Sequence, residues 1–378
     1  MLTAFINGRV LTDAGFADKA VLVENGRISA VTGAEDPAVA RAGHKIDLCG
    51  QMLLPGFIDI QVNGGGGVLF NDQPTVEAIR AIGAAHRRFG TTGFLPTLIS
   101  DDLERIGEAI AAAGRAAAEV PGALGVHIEG PFLNQERKGI HDPAKFRRLD
   151  ERALQLLTSL ERGRLLVTLA PEMTTPEMIA RLAGAGVIVA AGHTDGTYEE
   201  IVAALKAGLT GFTHLFNAMS PLATRRPGVV GAALDDTKSW CGIIVDGSHV
   251  APAALRVALK TRGADKLMLV TDGMPSVGSE TKTFLLQGRA ISVVDGICVD
   301  ENGVLAGTDL DMAGAVRNAT TMLGVDLPTA VRMASRVPAE FLGLGHELGR
   351  IAPGYRADLV RATDTMEILE SWIGGEPN

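Results

Sequence analysis

The chain has 378 residues, room for one large domain and a smaller companion. With 46% hydrophobic and 21% charged residues it can bury a sizeable core, which excludes wholesale disorder. A formal net charge of −9 excludes a general nucleic-acid binder, which needs a basic face, but leaves room for a few local cations around one small anion.

Three cysteines, Cys49, Cys241 and Cys298, are far apart and show no CxxC spacing, which suits a reducing compartment better than a disulfide framework. The opening MLTAFINGRVLTDAGF has no basic segment followed by an apolar run. No apolar stretch reaches the roughly 20 residues of a membrane span, so a cytoplasmic protein without membrane contact is expected.

The first fifty residues read as short strands, with apolar runs at Phe5–Leu11, Ala20–Val23 and Ile28–Val31 punctuated by Asn7-Gly8 and Asn25-Gly26. Gly349–Val360 has the same texture, with a turn at Pro353-Gly354. Residues 1–53 and 348–378 are therefore expected to form one small β-sandwich domain, with 54–347 inserted between its halves.

From Leu54 the texture changes to strand–helix alternation. Eight short apolar runs follow: Phe57–Gln61, Gly93–Thr97, Leu124–Glu129, Leu165–Ala170, Val187–Ala191, Thr210–His214, Gly242–Asp246 and Leu267–Thr271. They are continuous rather than alternating, as parallel strands buried on both faces should be. Helix signals lie between them. Asp101 stands at capping-box spacing from Glu104, ahead of Leu103, Ile106 and Ile110. Thr175 precedes Pro176 as N-cap and first helical residue. Thr197 and Glu200 form a second capping box, and Gly208 closes that helix. This order predicts an α/β fold, a (β/α)8 TIM-like barrel over 54–347. A further strand-rich patch, around 281–304, reads as an inserted β-hairpin or the support of a lid.

Polar residues fall at the ends of these runs. Glu129 ends a strand in VHIEGP, His193 follows VIVAAG, His214 ends LTGFTH and Asp272 follows LMLVT. In a (β/α)8 barrel the C-terminal strand ends form the active-site rim, so these four would converge. Glu129, His193 and His214 supply one carboxylate and two imidazoles, a set suited to a catalytic divalent ion with positions left open for water. Asp272 remains for proton transfer, first from the attacking water and then to a leaving amine. Each residue alone has a plainer reading. A strand-end His is usually just hydrogen-bonded, a Glu before Gly-Pro can cap a turn, and Asp-Gly is a common turn pair. Their joint placement argues for a site.

LPGFIDIQVNGGGG resembles the start of the barrel in the amidohydrolase superfamily. HIEGPFLNQERKGIHDP, AAGHTD, THLFNAM, DGSHV and VTDGM resemble, in order, motifs of the N-acetylglucosamine-6-phosphate deacetylases, and the resemblance runs through nearly the whole chain. It implies metal-dependent hydrolysis of N-acetyl-D-glucosamine 6-phosphate to D-glucosamine 6-phosphate and acetate, in amino-sugar catabolism and cell-wall recycling. It also implies roles for single positions. His141 would reach the acetyl carbonyl and stabilise the oxyanion. Ile140, Asn217, Ala218, Leu305, Ala306 and Gly307 would contact the substrate. Arg225 and His249 would bind its phosphate, reaching the neighbouring subunit's site in a homodimer, with Arg226 one position away as competitor to Arg225.

Many amidohydrolases carry His-x-His at the end of the first strand, whereas this chain has Gln61 and Asn63. The resemblance therefore implies a vestigial second metal position and one divalent ion per subunit, zinc by default with iron or cobalt tolerated. The same motifs fit N-acetylgalactosamine 6-phosphate, which differs in configuration at one hydroxyl. A cyclic-amide amidohydrolase typically uses two metals, which Gln61 and Asn63 disfavour. A non-catalytic scaffold on the same barrel would have lost groups that Glu129, His193, His214 and Asp272 still supply.

Overall fold

Phe57–Val62 and Thr91–Ile99 are buried at every position, which explains why their sequences are continuous apolar runs. They are β1 and β2 of an eight-stranded parallel sheet in the computed structural model, which describes residues 1–377. The sheet continues through β3 (Gly125–Glu129), β4 (Arg164–Leu169), β5 (Ile188–Ala191), β6 (Gly211–Phe212), β7 (Trp240–Ile243) and β8 (Leu267–Leu269). Each strand pairs in parallel with the next. The sheet closes through a parallel bridge between Val62 and Gly273, whose carbonyl accepts from the Asn63 and Gly64 amides at 2.9 and 3.0 Å. The expected (β/α)8 barrel is present.

Thr175 caps its helix with Pro176 in the first turn, and the Thr197–Glu200 capping box is formed in both directions. The Asp101 capping box is not. Asp102 takes the cap position but makes no capping bond, its carboxylate being held by Lys145, while Asp101 turns to Asn71 Nδ2 at 3.4 Å and to Lys145.

Inside the barrel, Ile58, Leu124, Leu166 and Met268 pack against Val337, Phe341 and Leu348. The short helix Arg336–Phe341 thus plugs the end at which the strands begin. Strands from both chain ends share one six-stranded sheet, in which Met52–Pro55 pairs with Leu359–Ala362. A four-stranded sheet of N-terminal strands lies over it. Phe5, Val21, Leu53 and Trp372 form the core between the two sheets, while Leu11, Met52, Leu54 and Val360 join the main core on the barrel side.

The expected inserted hairpin is instead a four-stranded antiparallel meander, Thr283–Leu286, Arg289–Val294, Ile297–Asp300 and Leu305–Thr308. Its first two turns, Gln287-Gly288 and Asp295-Gly296, have φ of +50° and +80°, and +49° and +82°. Positive φ at both central residues matches the twist of the flanking strands, so a tight turn returns the chain twice where one hairpin was expected. Thr308 pairs with Gly273 and so joins the meander to the barrel rim. Among the described residues, no helix is long and apolar enough to cross a membrane.

Candidate metal centre and active site

Parallel register brings the first polar residues of the interior side by side. Thr97 is paired with His127, and Glu129 with Thr168. A hydrogen-bonded chain crosses the barrel here: Thr97 Oγ1 to His127 Nδ1 at 3.3 Å, His127 Nε2 to Thr168 Oγ1 at 2.7 Å, and Thr168 to Thr213 at 2.6 Å. Burial lowers the His127 pKa to about 4, so this floor is uncharged at neutral pH.

Above it the strands end abruptly. His193, His214 and Asp272 have φ of +49°, +35° and +52°. Left-handed backbone costs an L-residue about 1–2 kcal/mol, an expense that clusters where a side chain must be aimed. It also shortens β6, since the chain has left the ladder by His214.

Glu129, His193 and His214 are buried, and their ligand atoms lie within 4.8 Å of one another. Both Nε2 atoms face Glu129 Oε1, at 3.2 Å for His193 and 3.0 Å for His214, and are 3.0 Å apart. His193 Nδ1 lies 2.8 Å from the Arg137 carbonyl and must donate to it, leaving its Nε2 with a lone pair. His214 Nδ1 is buried without a partner among the described residues. A tetrahedral centre with bonds of about 2.0–2.1 Å has edges of about 3.3 Å. The three donor atoms therefore fit a divalent ion. Burial pushes the Glu129 carboxyl up, but the bonds from His193 and His214 outweigh it and hold it well below the ordinary range.

Asp272 stands beside this group. Burial, and then the negative charge of Glu129, raise its pKa. Its Oδ1 accepts from Asn63 Nδ2 at 2.6 Å and from Gln61 Nε2 at 3.1 Å, and Gln61 also reaches Glu129 Oε2 at 3.3 Å. Both amides thus turn donors toward the carboxylates. Asp59, which the sequence reading passed over, lies beneath them. Its Oδ2 accepts from Thr271 Oγ1 at 2.5 Å and its Oδ1 from the Thr271 and Gln61 amides at 3.3 and 3.2 Å, tying β1 to the segment that ends in Asp272. Burial raises this carboxyl to about 7. The available signal was an acid inside an apolar strand.

His141 lies in a loop between two short turns, with its ring centroid 4.4 Å from that of His193. Burial, and then His193, push its pKa well below the ordinary value, so the ring is neutral. Its Nδ1 is 2.7 Å from Ser100 Oγ and 3.4 Å from the Ser100 amide, which can only donate.

These groups open into a cavity of about 260 Å³. Asn63, Glu129, Ile140, His141, His193, His214, Asn217, Ala218, His249, Asp272, Leu305, Ala306 and Gly307 all line it. Gln61 sits under the cavity rather than on its wall. Arg225 is exposed outside it, next to the Ala223–Arg226 bridge of a surface loop. His249 lines this chain's own cavity, because its Nδ1 is held 2.6 Å from Asp246 Oδ2 just beyond β7. Leu69, Asn71, Ile99, Gly139, Ile244, Met274, Leu286 and Val304 complete the wall. Most are apolar, and nothing in their spacing distinguishes them from core.

The sequence matches the profile of the "Amidohydrolase family" over residues 52–377. It is 46% identical to the N-acetylgalactosamine-6-phosphate deacetylase of Shewanella sp. (strain ANA-3), over 86% of this chain and 82% of that one. It is 37% identical to the N-acetylglucosamine-6-phosphate deacetylase of Haemophilus influenzae, over 88% and 87%. The crystal structure of N-acetylglucosamine-6-phosphate deacetylase from Pasteurella multocida superposes with a TM-score of 0.96 at 36% identity, covering 100% of both chains. Barrel, donor cluster and sequence agree: the chain belongs to the amidohydrolase family.

Proposed function

We propose that this protein hydrolyses the acetamide of N-acetyl-D-glucosamine 6-phosphate, releasing acetate and D-glucosamine 6-phosphate. The observation that carries the reading is the meeting of Glu129, His193 and His214 within 4.8 Å beside Asp272, in a chain 37% identical to the Haemophilus influenzae enzyme of that name. Glu129, His193 and His214 would hold one divalent ion, zinc by default, which supplies a Lewis acid and an acidified water when bound.

The chain's own groups supply the rest. Asp272 takes a proton from the water that attacks the acetyl carbon and returns it to the departing nitrogen, two tasks that a raised proton affinity serves. Because Ser100 N–H faces His141 Nδ1, the neutral ring carries its proton on Nε2 and can donate it to the carbonyl oxygen as negative charge develops there. Ile140, Asn217, Ala218 and Leu305–Gly307 contact the sugar, and His249 meets its phosphate. Arg225 lies outside this chain's cavity, so its share in phosphate binding is from a second copy across a homodimer interface. Gln61 and Asn63 stand where a second metal's imidazoles would be, and they orient Asp272 instead. Free Cys49, Cys241 and Cys298 support a cytoplasmic setting.

The 46% identity to the Shewanella enzyme favours a second reading, the galacto epimer, with the same chemistry. Acetate release from both sugar phosphates, with protein of measured metal content, tests both. Faster release from the gluco sugar is expected. Faster release from the galacto sugar keeps the mechanism and changes the substrate, and no release from metal-loaded protein overturns both readings.

A further inference from the structure

We propose that Gln287, at the tip of the inserted meander's first hairpin, is a positioning residue for His141; this rests on the deacetylase reading above. The loop that carries His141 runs between the short turns Gln135–Arg137 and Pro143–Lys145, and no strand ladder holds it. Its ring is tied to the barrel through Ser100, the residue after β2, at 2.7 Å. One side-chain amide braces both halves of this contact. Gln287 Nε2 donates to the Ser100 carbonyl at 2.9 Å, and the Asp142 amide donates to Gln287 Oε1 at 3.1 Å. The two bonded positions are Ser100 itself and the residue that follows His141. Movement of either segment breaks one of these bonds.

The backbone at Gln287 makes its identity informative. It occupies the first position of a tight turn with φ of +50°, followed by Gly288 at +80°. Asn or Gly fills such a position at lower conformational cost than Gln. As a turn residue Gln287 is a poor choice, but as a bridge it is apt, since Asn is one methylene too short to span the same two backbone groups. Leu286 seats the hairpin at the rim, being 1% exposed and packed with Leu69, Ile99 and Met274. The meander thus holds the oxyanion donor's loop in place as well as walling the cavity.

Gln287→Asn and Gln287→Gly separate the two roles, because both suit the turn and neither can form the bridge. In metal-loaded protein we expect a melting temperature at or above wild type, a kcat lower by about 10- to 100-fold from misplacement of His141, and a KM little changed. In a His141→Ala background, Gln287→Gly should cause no further loss. Wild-type kcat in both variants, or a full additional loss in the His141→Ala background, would overturn the proposal. A second readout needs no substrate. With ¹⁵N-histidine labelling, the His141 ring resonance, identified by its absence in His141→Ala, should shift in Gln287→Gly. An unchanged resonance overturns the proposal whatever the melting temperature. If wild-type protein releases no acetate, the deacetylase reading fails by itself and the resonance still decides the bracing role.

Discussion

The two ends of the barrel are built from the same strands and held by different forces. On β4, Leu166 faces the interior core with Ile58, Leu124 and Phe341, while Thr168, two residues further along the same face, hydrogen-bonds to His127 and Thr213. Below this level the interior is apolar and plugged by Arg336–Phe341. Above it are two imidazoles, two carboxylates and three non-glycine residues with positive φ, all at strand ends. Burial of area stabilises the lower end without aiming any group. The upper end accepts desolvated charge and strained backbone to aim several at once, which is why chemistry concentrates there.

The sharpest way to break this comparison is at Asp272. Asp272→Asn keeps the size and an acceptor for Asn63 but cannot move a proton. We expect kcat to fall by about 10²- to 10⁴-fold, with bound metal and melting temperature preserved. Near-normal turnover in a variant that retains its metal would remove the acid–base role.

Phe341→Ala probes the other end. Phe341 is 6% exposed and packs against Trp240 at a centroid distance of 5.9 Å. Truncation should cost about 3–5 kcal/mol in denaturant unfolding and leave kcat per folded molecule close to wild type. A loss of turnover with unchanged stability would show that the two ends are not separable.

Asp59 lies between the two regimes, and its effect is confined to a pH window. Burial raises its pKa from 3.8 to about 7, so the folded protein keeps a proton that the unfolded chain has already released. Its stabilising contribution is therefore complete below pH 3.8 and is lost as pH rises to about 7. Asp59→Asn cannot ionise. The difference in unfolding free energy between variant and wild type should move in the variant's favour across that window and level off above it. A flat difference across the window would refute the raised carboxyl.

Much of the fold was legible because its signals are local. All eight barrel strands were visible as continuous apolar runs, and the Thr175 and Thr197 caps needed only neighbours a few residues away. Asp101 misled because the same side chain that could cap a helix was taken by Asn71, from a loop 30 residues earlier. The convergence of Glu129, His193, His214 and Asp272 was legible through strand order, since parallel strands place their C-terminal ends on one rim.

Sequence by itself therefore determined the alternation of strand and helix, the residue types at each strand end, and the presence of the amides Gln61 and Asn63 at the end of the first barrel strand. Tertiary structure alone decided what those residues touch. It turned the two amides toward Asp272, tied Asp59 across the barrel seam to Thr271, kept His249 at its own chain's cavity and left Arg225 outside it. It also carried Gln287 to a loop 145 residues away. The physical reason is range. Periodicity and capping act over one turn or one pleat and are written in adjacent residues. Hydrogen bonds between buried polar groups are chosen after the chain has closed, by whichever donors and acceptors desolvation has left facing one another.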